Sequence, residues 1–103
     1  MNNVTVTGKM NFEAKIIKTK NGKMAIFQLG VANGKDENGK TVYTNVSVKT
    51  FNNEYAESLE NLGKGLNLVV VGKMVTETYE LKGEKRYSTV LHAMYIGQEL
   101  WNL

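Results

Sequence analysis

The segment Thr41–Phe51 is a predicted β-strand whose two faces differ in chemistry. Because side chains alternate across a strand, its even-numbered valines share one face and its odd-numbered residues share the other. The first face is apolar and suits a core (Val42, Val46, Val48). The second face carries aromatic, amide, hydroxyl and cationic groups (Tyr43, Asn45, Ser47, Lys49, Phe51). This second face suits nucleic acid better than a core, because bases stack on rings while ammonium groups meet phosphates.

Length and composition restrict the other possibilities. A chain of 103 residues is long enough for one domain with a single core. Cysteine is absent, which excludes a disulfide framework and a cysteine nucleophile and is typical of a cytoplasmic protein. No apolar run approaches the length of a membrane span, and the polar start is unlike a signal peptide. We therefore expect one cytoplasmic domain over residues 1–103 that does not enter a membrane.

The net charge of +3 is distributed unevenly. Residues 1–35 contain six lysines and one glutamate, a net charge of +5, whereas residues 52–63 contain three glutamates and no base. An anionic partner would require such segregation, although lysines that only keep a surface solvated would give the same composition. The candidate phosphate contacts lie on the strands with the aromatic residues (Lys9, Lys49, Lys73, Arg86), beside a predicted hairpin tip (Lys18, Lys20, Lys23) and at a polar loop (Lys35).

The sequence offers little for catalysis or metal binding. His92 is the only histidine, and its apolar neighbours favour a partly buried structural role. One histidine without cysteine cannot form a histidine-rich metal site or a cysteine–histidine pair. Asp36 and Glu37 are adjacent in a polar loop and lack metal-ligand spacing, and Gly72-Lys73 lies within a strand rather than a phosphate-binding loop. We expect no enzymatic activity, no cofactor and no metal.

Hydrophobic alternation predicts the strands. Apolar residues of one parity run from Val4 through Phe12 to Ile16, which indicates one long first strand with a bend at Gly8. The Asn21-Gly22 pair then predicts a type I′ hairpin turn. The remaining predicted strands cover residues 24–32, 41–51, 66–80 and 85–96, with a polar loop at 33–40 and a hairpin tip at 81–84. Residues 97–103 form a short tail with the only tryptophan, Trp101.

One segment changes to a helical period. Tyr55, Leu59 and Leu62 lie at i, i+4 and i+7, which predicts a short helix between the third and fourth strands. Asn52 or Asn53 can cap its start, and a glycine-rich segment ends it. Five strands with one helix between the third and fourth are the layout of an OB-fold. We therefore predict an all-β, five-stranded OB-fold barrel with the helix closing one end.

The fourth predicted strand is apolar on both faces. One parity holds Leu68, Val70 and Met74, which suit the core, and the other holds three valines (Val69, Val71, Val75). Such a strand is either central in its sheet or also contacts a neighbouring subunit.

Six segments resemble a known family in their order and spacing: Asn2–Met10, Met24–Val31, Tyr43–Val48, Tyr55–Leu59 with Lys64-Gly65, Val70–Tyr79 and Gly83–Tyr87. They are similar to the strands, the helix and the last hairpin of the bacterial and phage single-stranded-DNA-binding (SSB) proteins. The resemblance covers nearly the whole chain. The abundance of tyrosine where the cellular proteins favour tryptophan indicates a divergent member, from a phage or a mobile element.

The resemblance implies functional residues. In that family, aromatic residues at the start of the third strand and near the end of the fourth stack on bases, which corresponds here to Tyr43 and Tyr79. The family has a further aromatic residue late in the third strand. Strict spacing aligns this position with Lys49, and a small shift aligns it with Phe51. The resemblance also implies a homotetramer, or at least a dimer. The family's acidic C-terminal tip, which recruits repair and replication proteins, has no counterpart in residues 97–103.

Each ring also has a purely structural interpretation. Tyr43 and Tyr79 could cover an edge of the barrel, as tyrosines in strands often do. Phe51 could pack against the start of the helix. Tyr87 lies beside Arg86, and this pair suits a base and its phosphate as well as it suits a cross-strand contact within the last hairpin.

Together these observations predict a non-enzymatic protein that binds single-stranded DNA with little sequence preference and protects it in replication, recombination or repair. The predicted stacking residues are Tyr43, Tyr79, Phe51 and Tyr87. Two alternatives remain: an OB-fold adaptor that binds replication or recombination proteins, and a protein that binds or anneals RNA.

Overall fold

A computed structural model describes residues 2–98 of the chain. It contains six strands and one helix. In chain order they are β1 (Val4–Met10), β2 (Lys15–Thr19), β3 (Gly22–Lys35), β4 (Thr41–Thr50), α1 (Asn53–Leu62), β5 (Leu66–Leu81) and β6 (Glu84–Gln98). Trp101 and the rest of the predicted tail from residue 99 lie outside the described residues. Gly97 and Gln98, also assigned to that tail, instead extend β6.

The first predicted strand is two strands, and this prediction was wrong. β1 pairs along its length with β5, whereas β2 pairs with β3, and the chain turns between them. Phe12 lies in this turn with 74% of its surface exposed, although its parity predicted a half-buried position. The turn redirects the chain from β5 to β3, which β1 itself pairs with only at Lys9. The helix consequently lies between the fourth and fifth strands, not between the third and fourth as predicted.

Five of the six strands close into a barrel, and β2 pairs with β3 outside that ring. The sheet order is β1-β5-β6-β4-β3-β2, and an additional pairing of β1 with β3 joins its two sides. β1 crosses β3 closely at Gly8, where a Cβ would lie 2.5 Å from the carbonyl oxygen of Gly30. β4 and β6 pair in parallel through Val48 and Leu91. The prediction of an all-β OB-fold barrel with one helix is confirmed at this level.

The barrel encloses one apolar core. Its buried residues come from five strands and the helix: Met10, Ala25, Phe27, Leu29, Val48, Ala56, Leu59, Leu68, Val70 and Leu91. α1 turns Ala56 and Leu59 inward and covers one end of the barrel. Its start is capped as predicted, because the Asn52 side chain accepts a 3.0 Å hydrogen bond from the Tyr55 backbone N–H. Gly63, at a φ of 79°, ends the helix.

β4 follows its predicted alternation only within the barrel. Val48 is fully buried and Val46 packs against the core, as the pattern predicted. Val42 is 44% exposed, so its predicted core position was wrong. The first half of β4 and the last part of β3 form a ribbon that extends past the core, where neither face has apolar side chains to pack against.

Candidate nucleic-acid interface

The outward face of β4 forms a continuous row of polar and aromatic side chains. We call Tyr43, Asn45, Ser47 and Lys49 the β4 row. Their partners across β3 are Ala32, Gly30, Gln28 and Ile26. In the middle of the row, the Gln28 side-chain amide donates a 2.7 Å hydrogen bond to the Ser47 hydroxyl. The β4 row therefore lies on the barrel's outer surface, opposite the side chains that fill the core.

One end of the β4 row borders a cleft beside Tyr43. The cleft has a volume of about 380 Å³, and its lining comes from three strands and the turn after β1 (Lys9, Asn11, Gly30, Tyr43, Asn45). Tyr43 is 64% exposed, so one face of its ring is available to a flat partner. Lys9 also lines this cleft, so an aromatic ring and a cationic side chain occur together, a combination typical of surfaces that bind single-stranded nucleic acid.

The other end of the β4 row borders a second cleft beside Tyr79. This cleft has a volume of about 370 Å³ and lies between β3, β4 and the β5–β6 hairpin, which extends beyond the barrel. Lys49, Ser47 and Tyr79 contribute to its walls. Tyr79 is 50% exposed. The two tyrosines carried over from the family pattern thus line separate clefts at the two ends of one row.

Lys49 is held by a carboxylate in the Tyr79 cleft. Its ammonium group lies 2.7 and 3.0 Å from the two carboxylate oxygens of Glu77, and His92 Nε2 lies 2.7 Å from one of them. Hydrogen bonds from Lys49 and then from His92 lower the pKa of Glu77, so this carboxylate is charged at neutral pH. His92 is half-buried beside this carboxylate, and its structural role stays a prediction. A phosphate placed at Lys49 would have to compete with Glu77 for its charge.

Replacing Glu77 by glutamine should strengthen binding of an anionic strand. The glutamine oxygen still accepts a hydrogen bond from Lys49 while the negative charge is lost. We expect the affinity for oligothymidine to rise about fivefold, because unit charges about 4 Å apart in water interact by about 1 kcal/mol. The measurement is a fluorescence titration at low salt. Glu57→Gln on α1 changes the net charge equally, and an equal gain in that variant would contradict a local role for Glu77.

Phe51 lies at the end of the β4 row, beside His92. Their ring centroids are 5.4 Å apart at an interplanar angle of 69°, an edge-to-face contact. Phe51 is 61% exposed, so much of its ring remains accessible. The contact brings Phe51 next to the group formed by Lys49, Glu77 and His92.

Tyr87 is separated from Tyr79 by the register of the last hairpin. Tyr79 pairs with Arg86, and Thr78 pairs with Tyr87. Because side chains alternate, Tyr87 faces the opposite side of this two-stranded ribbon from Tyr79. Arg86 shares the side of Tyr79 and forms a 3.1 Å ion pair with Glu84. The Tyr87 ring and the Arg86 guanidinium, which are adjacent in the sequence, therefore lie on different sides of the ribbon.

The other candidate cations lie outside the two clefts. Lys73 lies on β5, is exposed, and pairs in register with His92 of β6. Lys23 forms a 2.9 Å ion pair with Glu60 of the helix, and this hydrogen bond raises the pKa of Lys23. The remaining three are exposed on or beside β2 and at the end of β3 (Lys18, Lys20, Lys35).

Three charged or amide side chains in the clefts were not among the predicted site residues. No sequence pattern indicated that Glu77 belongs to the site, because its contact with Lys49 joins residues 28 positions apart. Asn11 reaches the Tyr43 cleft only because the chain turns after β1. Asn45 was placed on the polar face of its strand by alternation, but its position in a cleft depends on the pairing with Gly30.

The described part of the chain shows neither a metal site nor a helix that could span a membrane. Over residues 2–98, no group of three or more His, Cys, Asp or Glu side chains is arranged to hold a metal ion. Within that range, no helix has both the length and the apolar character needed to cross a membrane.

Comparison with known proteins identifies the family. The model of the single-strand binding protein family matches residues 1–97. This chain belongs to that family. A comparison with curated proteins found no significant match.

Solved structures of family members share the fold. The structure described as Plasmodium falciparum SSB in complex with ssDNA superposes with a TM-score of 0.80 at 18% identity, and the alignment covers 96% of this chain and 95% of that one. The small single-stranded DNA-binding protein from Streptomyces coelicolor gives a TM-score of 0.75 at 22% identity, with coverage of 95% and 94%. At these identities the likeness establishes the barrel fold, and the roles of individual side chains must be argued from this chain's own geometry.

Proposed function

We propose that this protein binds single-stranded DNA, without catalysis and with little sequence preference. The observation that carries the proposal is the β4 row together with the clefts at its two ends, where Tyr43 of β4 and Tyr79 of β5 are at least half-exposed and lie with lysines. Membership of the single-strand binding protein family supports the same function. A flexible strand would follow the row, with bases on the rings and phosphates at Lys9 and Lys49.

Unpaired bases are needed for this mode of binding. In a duplex the faces of the bases are stacked on one another, so they cannot stack on Tyr43 or Tyr79. A single strand can turn successive bases toward the protein. The sugar and phosphate contacts would be the same for every sequence, which accounts for the low sequence preference. A protein with these properties would cover DNA that is unwound during replication, recombination or repair.

Phe51 and the remaining cations would extend this interface. Phe51 continues the β4 row past Lys49, where its exposed ring could accept another base. Lys73 and Arg86 would contact phosphates along β5 and β6. Lys18 and Lys20, on and beside β2, and Lys35, at the end of β3, would contribute a longer-range attraction, and Lys23 would do so less because Glu60 already neutralises it. Tyr87 would meet only a strand that wraps around the hairpin.

A homo-oligomer is part of the proposal. Val69 and Val71 lie on the outer face of β5 and are only half-buried within one chain. A second copy that covered them would remove apolar surface from water, and the apolar residues on both faces of β5 are typical of such a strand. Val75 is the third valine predicted for this face, and its odd number gives it the same parity as Val69 and Val71.

The salt dependence of binding tests the proposed function. We expect the logarithm of the association constant for oligothymidine to fall linearly with the logarithm of salt concentration, by about 0.7 per phosphate neutralised. An OB-fold adaptor for proteins would show no strong, salt-sensitive affinity for this strand. The same titration with an RNA strand of equal length addresses the second alternative, because an RNA-binding protein should bind RNA at least as tightly as DNA.

A further inference from the structure

The floor of the Tyr43 cleft is a residue without a side chain. Gly30 is buried at the point where β3 pairs with Lys9 of β1 and with Asn45 of β4. A Cβ added to Gly30 would lie 3.2 Å from the Asn11 side-chain nitrogen and 4.0 Å from the Asn45 side-chain oxygen. The side-chain amides of Asn11 and Asn45, which come from different segments, therefore lie close together over the backbone of Gly30.

Both of these amides are free to bind a ligand. Within residues 2–98, the side chains of Asn11 and Asn45 have no hydrogen-bond partner. Four other asparagines in this part of the chain are engaged: Asn2 bonds to Met74, Asn33 to Thr44, Asn52 to Tyr55 and Asn53 to Lys23. Exposed asparagines elsewhere in residues 2–98 are also unpaired, and what distinguishes Asn11 and Asn45 is that they meet over Gly30 in one cleft. A carboxamide offers both donors and acceptors, so Asn11 and Asn45 together present several unused hydrogen-bonding groups beside the Tyr43 ring.

We propose that this cleft binds the hydrogen-bonding edge of one unpaired nucleobase. The base would stack on Tyr43 and direct its Watson–Crick edge over Gly30, where Asn11 and Asn45 form hydrogen bonds with it. The inference rests on the proposed function and adds to it that a base edge is recognised, not only a base face and a phosphate. Asn11 and Asn45 are then binding residues of the cleft.

The chemistry of amides accounts for low sequence preference at such a site. Every base carries donors and acceptors along its Watson–Crick edge, and a carboxamide can match either kind. A paired base has already used this edge for its complement. The cleft therefore accepts each of the four bases when unpaired and rejects all of them in a duplex, which gives a second reason, besides stacking, for a preference for single strands.

The test blocks the base edge without removing the ring. Oligothymidine is compared with a strand of equal length built from N3-methylthymidine, in which the methyl group occupies the Watson–Crick edge. Wild-type protein should bind the methylated strand about fivefold more weakly, the range expected for one or two net hydrogen bonds. A strand of deoxyuridine, which differs from thymidine only at the opposite edge, should bind as oligothymidine does.

The matched variant is Asn11→Ala with Asn45→Ala. Both side chains are exposed, so the barrel should still fold, and thermal unfolding checks this. The variant should bind oligothymidine about fivefold more weakly than wild type and should not distinguish the methylated strand, because the groups that sense the edge are gone. Gly30→Ala, which places a methyl group over the cleft floor, should lose the same discrimination.

Three results would overturn the inference. In the first, wild-type protein binds the methylated and unmethylated strands equally, a comparison that needs no variant. In the second, methylation weakens wild type and the double variant by the same factor. Both leave the proposed function intact, since oligothymidine is still bound. In the third, wild-type protein does not bind oligothymidine at all, and the proposed function fails together with the inference.

Discussion

Replacing Tyr43 and Tyr79 together by alanine should lower the affinity for oligothymidine at least about 30-fold. Alanine substitution of a stacking ring generally costs about 1–3 kcal/mol per base, a range established partly on proteins of this family. The two rings lie in separate clefts and share no contact, so their effects should add. A fluorescence titration at constant salt measures the loss.

Two controls separate stacking from other effects. Tyr43→Phe with Tyr79→Phe keeps both rings and removes only the hydroxyls, so affinity should stay close to wild type. Tyr95→Ala removes a ring that is 52% exposed and packs edge-to-face on Tyr55 of the helix, away from both clefts. If the Tyr95 variant lost as much affinity as the double alanine variant, the two clefts would not be the binding site.

Replacing Gly72 by alanine should destabilise the barrel strongly. Gly72 lies in the middle of β5, between β1 and β6, where the register with β6 shifts by one residue. A Cβ at this position would overlap the carbonyl oxygen of His92 and lie 3.0 Å from the Cα of Ala93. Because the added Cβ would meet backbone atoms rather than a movable side chain, we expect the upper end of the cost of overpacking, about 3 kcal/mol. The melting temperature should then fall by about 12 °C or more, since each kcal/mol shifts the midpoint of such a domain by about 4–8 °C.

Gly39→Ala is the matched control for this substitution. Gly39 has a φ of 79°, but nothing lies within 4 Å of an added Cβ. Only the cost of a left-handed backbone remains, about 1–2 kcal/mol. Calorimetry of both variants should therefore rank Gly72→Ala as the less stable. The reverse order would mean that β1, β5 and β6 are not packed as closely as the fold requires.

The parts of the fold that depend on local sequence were predictable. The helix begins and ends where its apolar spacing, its asparagine cap and its terminal glycine placed it. The inner half of β4 follows its alternation, since Val46 and Val48 face the core and Lys49 does not. These features are set by residues within a few positions of one another, so their signal is contained in the sequence.

The features that the sequence did not reveal depend on which strands become neighbours. The parity from Val4 to Ile16 is unbroken, yet the chain turns at Phe12 because β1 and β2 pair with different strands. Contacts of this kind join residues that are distant in the chain, and alternation alone does not specify them.

The candidate site likewise combines features that local sequence specifies with features that depend on strand pairing. Alternation placed the aromatic and polar residues of β4 on one outward face, and the structure has them there. Alternation could not show that Glu77 pairs with Lys49, or that Asn11 and Asn45 meet over Gly30. The charge that a phosphate would encounter in the Tyr79 cleft is therefore weaker than the lysine content of the sequence indicates.

The most direct test of single-strand recognition by the two tyrosine clefts uses wild-type protein and two ligands. A labelled oligothymidine is titrated alone and after annealing to its complement, at the same salt concentration. We expect the free strand to bind at least about 30-fold more tightly, because pairing removes the base faces from Tyr43 and Tyr79. Equal affinity for the free strand and the duplex would contradict recognition through unpaired bases.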